Sequence, residues 1–361
     1  MQNREDLLHR TDGIFYSAPP TVFDPVIGYR WRPRSRILSL AKGELIYENQ
    51  LFFNNYGYHC ATDYQPEKKS ARTFRIVILG DSFTNGVCMP QTWAESLQEV
   101  LRARPDHGRD VEVYAFPTDG GGLLNWYHVF MHQILPVFEF DALILGDTVN
   151  DCGNKFIVTH STDEGAYIGF FDYEQRPVSQ ADFQRVFPKM TRYYDVISES
   201  SLNELSKRAK ARPPAKITEA DYLPKDDDAA GLMLPAGANS DPESLTEWYG
   251  ERRLDMLREM VEACRQRGVP VIYYSMPNRR ALLLSKHRPG ILRQEAGAAA
   301  MAKRFRLEYF NGYRVFKDVS TRDIVDLHWL KYDGHWALPA AHLFALKMAG
   351  WLLRKGLIKS L

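Results

Sequence analysis

The chain has 361 residues, which at ~100–200 residues per domain means two domains or one large domain with additions. Hydrophobic residues make up 45% of it and charged residues 25%. That balance is ordinary for a folded protein and excludes a disordered chain or a fibrous repeat. Lys+Arg 46 against Asp+Glu 45 leaves a net charge of +1, so the bulk charge offers no draw toward nucleic acid or an anionic membrane.

The N-terminus, MQNREDLLHRTDGIF, is polar and mixed in charge, without the apolar stretch of a signal peptide. No apolar run approaches the ~18 residues of a membrane span. As written, the text predicts a cytoplasmic protein without an integral membrane segment; export stays open if the N-terminus has been trimmed. Residues 1–71 are rich in aromatics, Pro and Gly and read as short strands and turns forming an N-terminal extension. At Phe74 the pattern changes. FRIVILG (74–80) is a β-branched apolar run ending in Gly, the mark of a buried parallel strand. QTWAESLQEVLRAR (91–104) places Trp93, Leu97, Val100 and Leu101 at helical spacing. VEVYAF (111–116) reads as a second strand, LLNWYHVFMHQIL (123–135) as a second helix and DALILG (141–146) as a third strand. This β-α-β-α-β alternation predicts an α/β fold: a doubly wound parallel sheet with helices on both faces.

Residues 155–240 break the alternation with dense Pro, Gly and charge, and read as a large insertion, part ordered and part flexible. Its centre, roughly 205–240, has the composition of a surface loop. The position of the insertion, after the third strand, suits either a lid or an assembly surface. The α/β pattern resumes at Ser240-Asp241-Pro242-Glu243, a helix start that runs to about Gln266 and is closed by Gly268. VPVIYYS (269–275) is a fourth strand. A helix near 289–304, a strand near 306–310 and a last helix from Pro339 to about Lys355 complete the domain, which spans 72–361.

A doubly wound sheet binds its ligands beyond the carboxyl ends of its strands, and chemistry-bearing residues collect there. The first strand runs into Gly80-Asp81-Ser82-Phe83-Thr84-Asn85-Gly86, a corner that can present a serine hydroxyl. Asp81 reads as the residue that ties this turn down. The second strand ends in Pro117-Thr118-Asp119-Gly120-Gly121-Gly122, and the third in Val149-Asn150-Asp151. Glycine N–H groups and an Asn amide suit an oxyanion. Near the C-terminus, Asp333-Gly334-His335-Trp336 offers a base with an orienting acid. Asp326-Leu327-His328 is a rival pair that spacing alone does not separate from it; His335 is favoured because it abuts the last helix. His128 and His132 lie at i, i+4, but no third metal ligand is evident, so no metal and no cofactor is expected. Cys60, Cys88, Cys152 and Cys264 form no CxxC pair and read as free thiols. Trp126 and Trp336 read as core.

In chain order the Ser, Gly, Asn and His segments resemble the four blocks of the SGNH branch of the GDSL esterase/lipase family, and GDSFTNG with DGHW resembles a bacterial D-G-H-W subgroup of it. The resemblance implies a flavodoxin-like three-layer sandwich. It further implies a serine esterase with Ser82 as nucleophile, His335 as base and Asp333 as its orienting acid, and an oxyanion hole from Ser82, Gly120 and Asn150. The substrate it implies is a small-molecule or glycan ester, with O-acetyl groups on carbohydrate in view. Two other readings stay open: an O-acyltransferase using the same serine, and an inactive binding module. Ala115, Pro117 and Val149 depart from the family pattern around the oxyanion residues.

Overall fold

The computed structural model describes residues 10–18, 21–24, 28–31, 35–104, 108–119, 121–147, 157–162, 165–170, 194–213, 222–223, 233, 251–288, 292–331 and 334–358. The N-terminal segment carries β1 (Gly13–Tyr16), β2 (Thr21–Asp24), β3 (Gly28–Trp31), β4 (Ser35–Ala41) and β5 (Glu44–Leu51). The α/β pattern follows as β6 (Thr73–Gly80), α1 (Trp93–Arg102), β7 (Asp110–Pro117), a helical stretch α2 (Leu123–Val129, continued to Val137 through a π-helical turn) and β8 (Ala142–Asp147). The insertion contributes β9 (Ile157–Thr162), β10 (Gly165–Phe170), β11 (Tyr194–Val196) and α3 (Glu199–Ala211). The chain then returns to the main domain with α4 (Glu251–Gln266), β12 (Val271–Ser275), α5 (Arg279–His287), α6 (Arg293–Phe305), β13 (Glu308–Asn311) and α7 (Leu338–Arg354).

Five parallel strands make the central sheet in the order β13-β12-β8-β6-β7. Counted along the chain, this is the 2-1-3-4-5 order of a doubly wound sheet, and its switch point lies between β6 and β8. All eight residues of β6 are buried, because parallel strands are covered on both faces. Alternation still sorts them. Ile76 and Ile78 join Trp93, Leu97 and Leu101 of α1 and Phe344 and Met348 of α7 on one side. Val77 and Leu79 join Trp126 and Phe130 of α2, Leu257 of α4 and Met301 of α6 on the other. Helix α1 starts on a capping box in which Thr92 Oγ1 accepts from Glu95 N (3.1 Å) and Glu95 Oε2 accepts from Thr92 N (2.8 Å). Small buried residues Ala340, Ala341, Ala345 and Ala349 let α7 lie close on its neighbours.

At the end of the sheet away from the strand-end loops, near the start of β6, Arg75 is fully buried. Its guanidinium pairs with Glu112 (2.8 Å) and donates to the carbonyls of Pro66 (2.7 Å), Glu67 (2.7 Å) and Glu139 (3.0 Å). An anion, three carbonyls and the face of the Tyr114 ring, 4.4 Å from Cζ, thus receive the charge, and such pairing is the condition for burying it.

A second sheet, β11-β1-β4-β5, builds the N-terminal extension. Its strand β11 comes from the insertion and pairs parallel with β1, Ile14 opposite Tyr194. Helix α3 packs on the same sheet through Leu202, Leu205 and Ala209, against Phe15, Leu38 and Leu40. Residues 205–211, assigned by composition to a surface loop, are thus helical. Their Leu-x-x-x-Ala spacing carries an apolar stripe that a count of charges obscures, and Ser198 caps the helix by accepting from Ser201 N. Helix α5 was also not anticipated. It begins on Asn278, whose side chain accepts from Ala281 N (2.8 Å), between the fourth strand and the helix near 289–304, where the sequence pattern names no element. The expected helix start at 240–243 lies outside the described residues.

Candidate active site

Ser82 opens a single helical turn, Ser82–Asn85, immediately after β6. Asp81 caps the turn, its carboxylate accepting from Phe83 N (3.0 Å) and its carbonyl from Asn85 N (2.9 Å). Gly86 closes it with φ +59°, a left-handed geometry that suits glycine, and donates to Ser82 O (2.9 Å). Gly80 is needed for a different reason. A Cβ there would stand 2.1 Å from Thr84 Oγ1. The turn is therefore folded back tightly on the end of β6. Thr84 Oγ1 is in turn bonded to Tyr274 OH (3.2 Å) and Trp93 Nε1 (3.3 Å), while Trp126 Nε1 donates to Gly80 O (3.0 Å). Sequence reading placed Trp126 and Trp336 in the core; both are buried, and Trp126 also fixes the backbone just before the serine.

On the other side of the chain, Trp329 and Trp336 form an antiparallel bridge, with Leu330 N donating to His335 O (3.0 Å) and Ala337 N to His328 O (2.8 Å). This narrow hairpin places His335 just before α7. His335 Nε2 lies 2.7 Å from Ser82 Oγ, across 253 positions of sequence. Both residues are partly exposed, so a substrate can reach them. The Phe83 ring packs against the imidazole, centroids 4.8 Å apart, and edge-on to Trp336 at 5.7 Å. Phe83 thus limits the swing of the imidazole, a role that spacing could not reveal.

The rival pair stands elsewhere. Asp326 accepts from Tyr222 OH (3.0 Å) and Arg322 Nε (3.3 Å), and His328 Nδ1 is bonded to Asp323 O (2.9 Å). His328 ends a π-helical turn, Ile324–His328, which directs its ring to the backbone behind it. Gly120, Asn150, Asp151, Asp333 and Cys152 lie outside the described residues.

Two further groups near the serine had no signal in the sequence. Asn85, fully buried, donates from Nδ2 to Asp119 Oδ1 (2.8 Å). Burial pushes the Asp119 carboxyl up to about 6; the Asn85 amide and the charge of His335 pull against that rise, and Asp81 adds to it. His59 is buried beneath the same turn with Nδ1 2.7 Å from Asn85 O. A carbonyl only accepts, so Nδ1 carries the proton. Burial holds the imidazole of His59 below its ordinary value, hence neutral.

His128 and His132 stack on α2, centroids 5.6 Å apart, and among the described residues no group of three His, Cys, Asp or Glu could hold a metal ion. Cys60, Cys88 and Cys264 are free thiols, and burial pushes Cys60 up to about 11 and Cys264 up to about 12. Neither forms a thiolate near neutral pH. Among the described residues no helix is long and apolar enough to cross a membrane.

No family model and no curated protein matches the chain. Among solved structures it is similar to a catalytic mutant of an acetylxylan esterase from Geobacillus stearothermophilus, at 10% identity over 80% of this chain and 95% of that one, with a TM-score of 0.41. It is also similar to a lipase/acylhydrolase from Enterococcus faecalis, at 12% identity over 78% and 96%, with a TM-score of 0.38. A lipase from a goat rumen metagenome matches at 12% identity over 77% and 98%, with a TM-score of 0.36.

Proposed function

We propose that the chain is a serine esterase of the SGNH type, acting on the ester of a small molecule or glycan through an acyl-enzyme. One observation carries this reading: Ser82 Oγ and His335 Nε2 are 2.7 Å apart, at the carboxyl end of the strand beside the sheet's switch point. A serine is a weak nucleophile until a base within hydrogen-bond reach takes its proton. The neutral imidazole, with its proton on Nδ1, accepts from the hydroxyl at Nε2.

Ser82 Oγ then bonds to the carbonyl carbon as its proton passes to His335. The resulting imidazolium returns that proton to the departing alcohol, and the C–O bond of the ester breaks. Water repeats the sequence on the acyl-serine and releases the acid. As the first residue of its turn, Ser82 has a backbone N–H that the turn itself does not use, and this N–H is assigned to the oxyanion. The resemblance in sequence adds Gly120 and Asn150 as further donors and Asp333 as the acid that orients His335. The same resemblance favours O-acyl groups, acetyl among them, on carbohydrate.

The test is covalent labelling. A fluorophosphonate should mark the native protein on one serine, and Ser82→Ala should abolish both the label and the hydrolysis of an aryl acetate. A Ser82→Ala protein that hydrolyses the ester like its parent sinks the reading.

A further inference from the structure

The sheet of the N-terminal extension touches both catalytic segments at once. On the serine side, Asn49 of β5 donates from Nδ2 to Val87 O (2.9 Å), just past the turn that carries Ser82. On the histidine side, Glu44 at the start of the same strand pairs with Lys331 (2.9 Å), and the two side chains are only 13% and 24% exposed. Between these polar ties lies an apolar face of Tyr16, Ile37, Tyr47 and Leu51, on which Val87, Cys88 and Leu330 all pack.

Lys331 follows Leu330, whose N–H bonds His335 O across the narrow hairpin. The backbone of this arm is held from a second side, as Arg279 Nη1 donates to Leu330 O (3.1 Å) and Lys331 O (2.7 Å). A shift of Lys331 is therefore passed to His335 through the adjacent Leu330 and its backbone bond to His335 O.

We propose that β5 is a brace of the active site, with Glu44 and Asn49 as positioning residues that set the Ser82–His335 separation from outside the α/β domain. The inference rests on the esterase reading for its chemistry. Physically, two segments 253 positions apart must hold a contact near 2.7 Å. The histidine lies on a hairpin and the serine on one helical turn at the end of β6, and such connecting segments are less rigid than strands. A single strand gripping both converts two independent fluctuations into one. A displacement of ~1 Å between reacting groups costs on the order of 10²-fold in rate, so a modest loosening is visible in turnover.

The experiment compares Glu44→Gln, Lys331→Met and the exchanged pair Glu44→Lys/Lys331→Glu with the parent. Measurements are kcat and KM on an aryl acetate, the rate of fluorophosphonate labelling and the urea midpoint. The brace predicts that each single variant loses about 10-fold or more in kcat and in labelling rate, with KM and the urea midpoint close to the parent. The exchanged pair should recover most of that loss. Asn49→Ala should behave like the single variants, and it stands alone if a change at the ion pair prevents folding. Single variants within twofold of the parent in kcat, or losses that follow a lowered midpoint with no recovery in the exchanged pair, overturn the brace. Absence of label on the parent protein instead overturns the esterase reading, so the two failures are distinct.

Discussion

Replacing Asp119 with Asn should make the protein more stable near neutral pH and worse at its chemistry. The folded carboxyl is raised from 3.8 to about 6, chiefly by burial. A carboxyl that ionises less readily in the fold than in the unfolded chain takes up a proton on folding between those two values. The native state then binds more protons than the unfolded one, so stability falls as pH rises through that window. The contribution is fully present below ~4, drains away up to ~6 and is absent above. A rise of about two units, at ~1.4 kcal/mol per unit, corresponds to a cost of about 3 kcal/mol for holding the charge at pH 8. Asn carries no such charge, yet its side-chain oxygen can still accept from Asn85 Nδ2. Asp119→Asn should therefore gain about 3 kcal/mol over the parent at pH 8, and the gain should nearly vanish at pH 4. Urea unfolding across pH 4–8 reads this directly. A constant offset between the two proteins over that range, or a variant less stable at pH 8, refutes the assignment. The same charge interacts with His335, and in the proposed mechanism it would favour the imidazolium; the variant should accordingly hydrolyse an aryl acetate more slowly while gaining stability.

His335→Ala should cut kcat/KM on an aryl ester by roughly 10³-fold or more, whereas His328→Ala, on the far side of the hairpin, should stay within a few-fold; the reverse order moves the base to His328. Arg75→Met strips buried Glu112 of its close partner, leaving only Lys69 Nζ at 3.6 Å, and should cost about 3–5 kcal/mol in urea unfolding, with kcat intact for the fraction that remains folded. Gly80→Ala forces a methyl against Thr84 Oγ1 and should cost about 1–3 kcal/mol while slowing fluorophosphonate labelling, since the displaced turn carries Ser82; normal labelling would show that the turn adapts.

The central sheet could be read from the text because its strands are short apolar runs set between amphipathic helices. FRIVILG, VEVYAF and DALILG become β6, β7 and β8 with ends shifted by only a residue or two. Ser82 and His335 stand out as candidates in the text because their segments are compact local patterns at strand and helix ends, and the structure brings these two side chains together. What was hidden is contact between distant segments. Nothing local in Asn85 announces Asp119, and nothing in Glu44 announces Lys331, 287 residues away. Helix α3 was missed for the related reason that its apolar stripe has meaning only against the sheet that receives it. Spacing does not separate His335 from His328, because both sit two residues after an Asp and immediately before a Trp; only the fold shows that it is His335 that lies beside Ser82.

The parallel pairing of β1 with β11 has a bearing on biosynthesis. Ile14 leaves the ribosome some 180 residues before its strand partner Tyr194, and at ~5–20 residues per second that interval lasts on the order of ten seconds or more. Throughout it the nascent edge of β1 is open to unwanted strands, a hazard that long-range β pairing carries in general. Co-translational recovery of full-length product should thus depend on how quickly the stretch up to residue 196 is translated, and a pause introduced just before those codons should leave more of the chain aggregated than one placed after them.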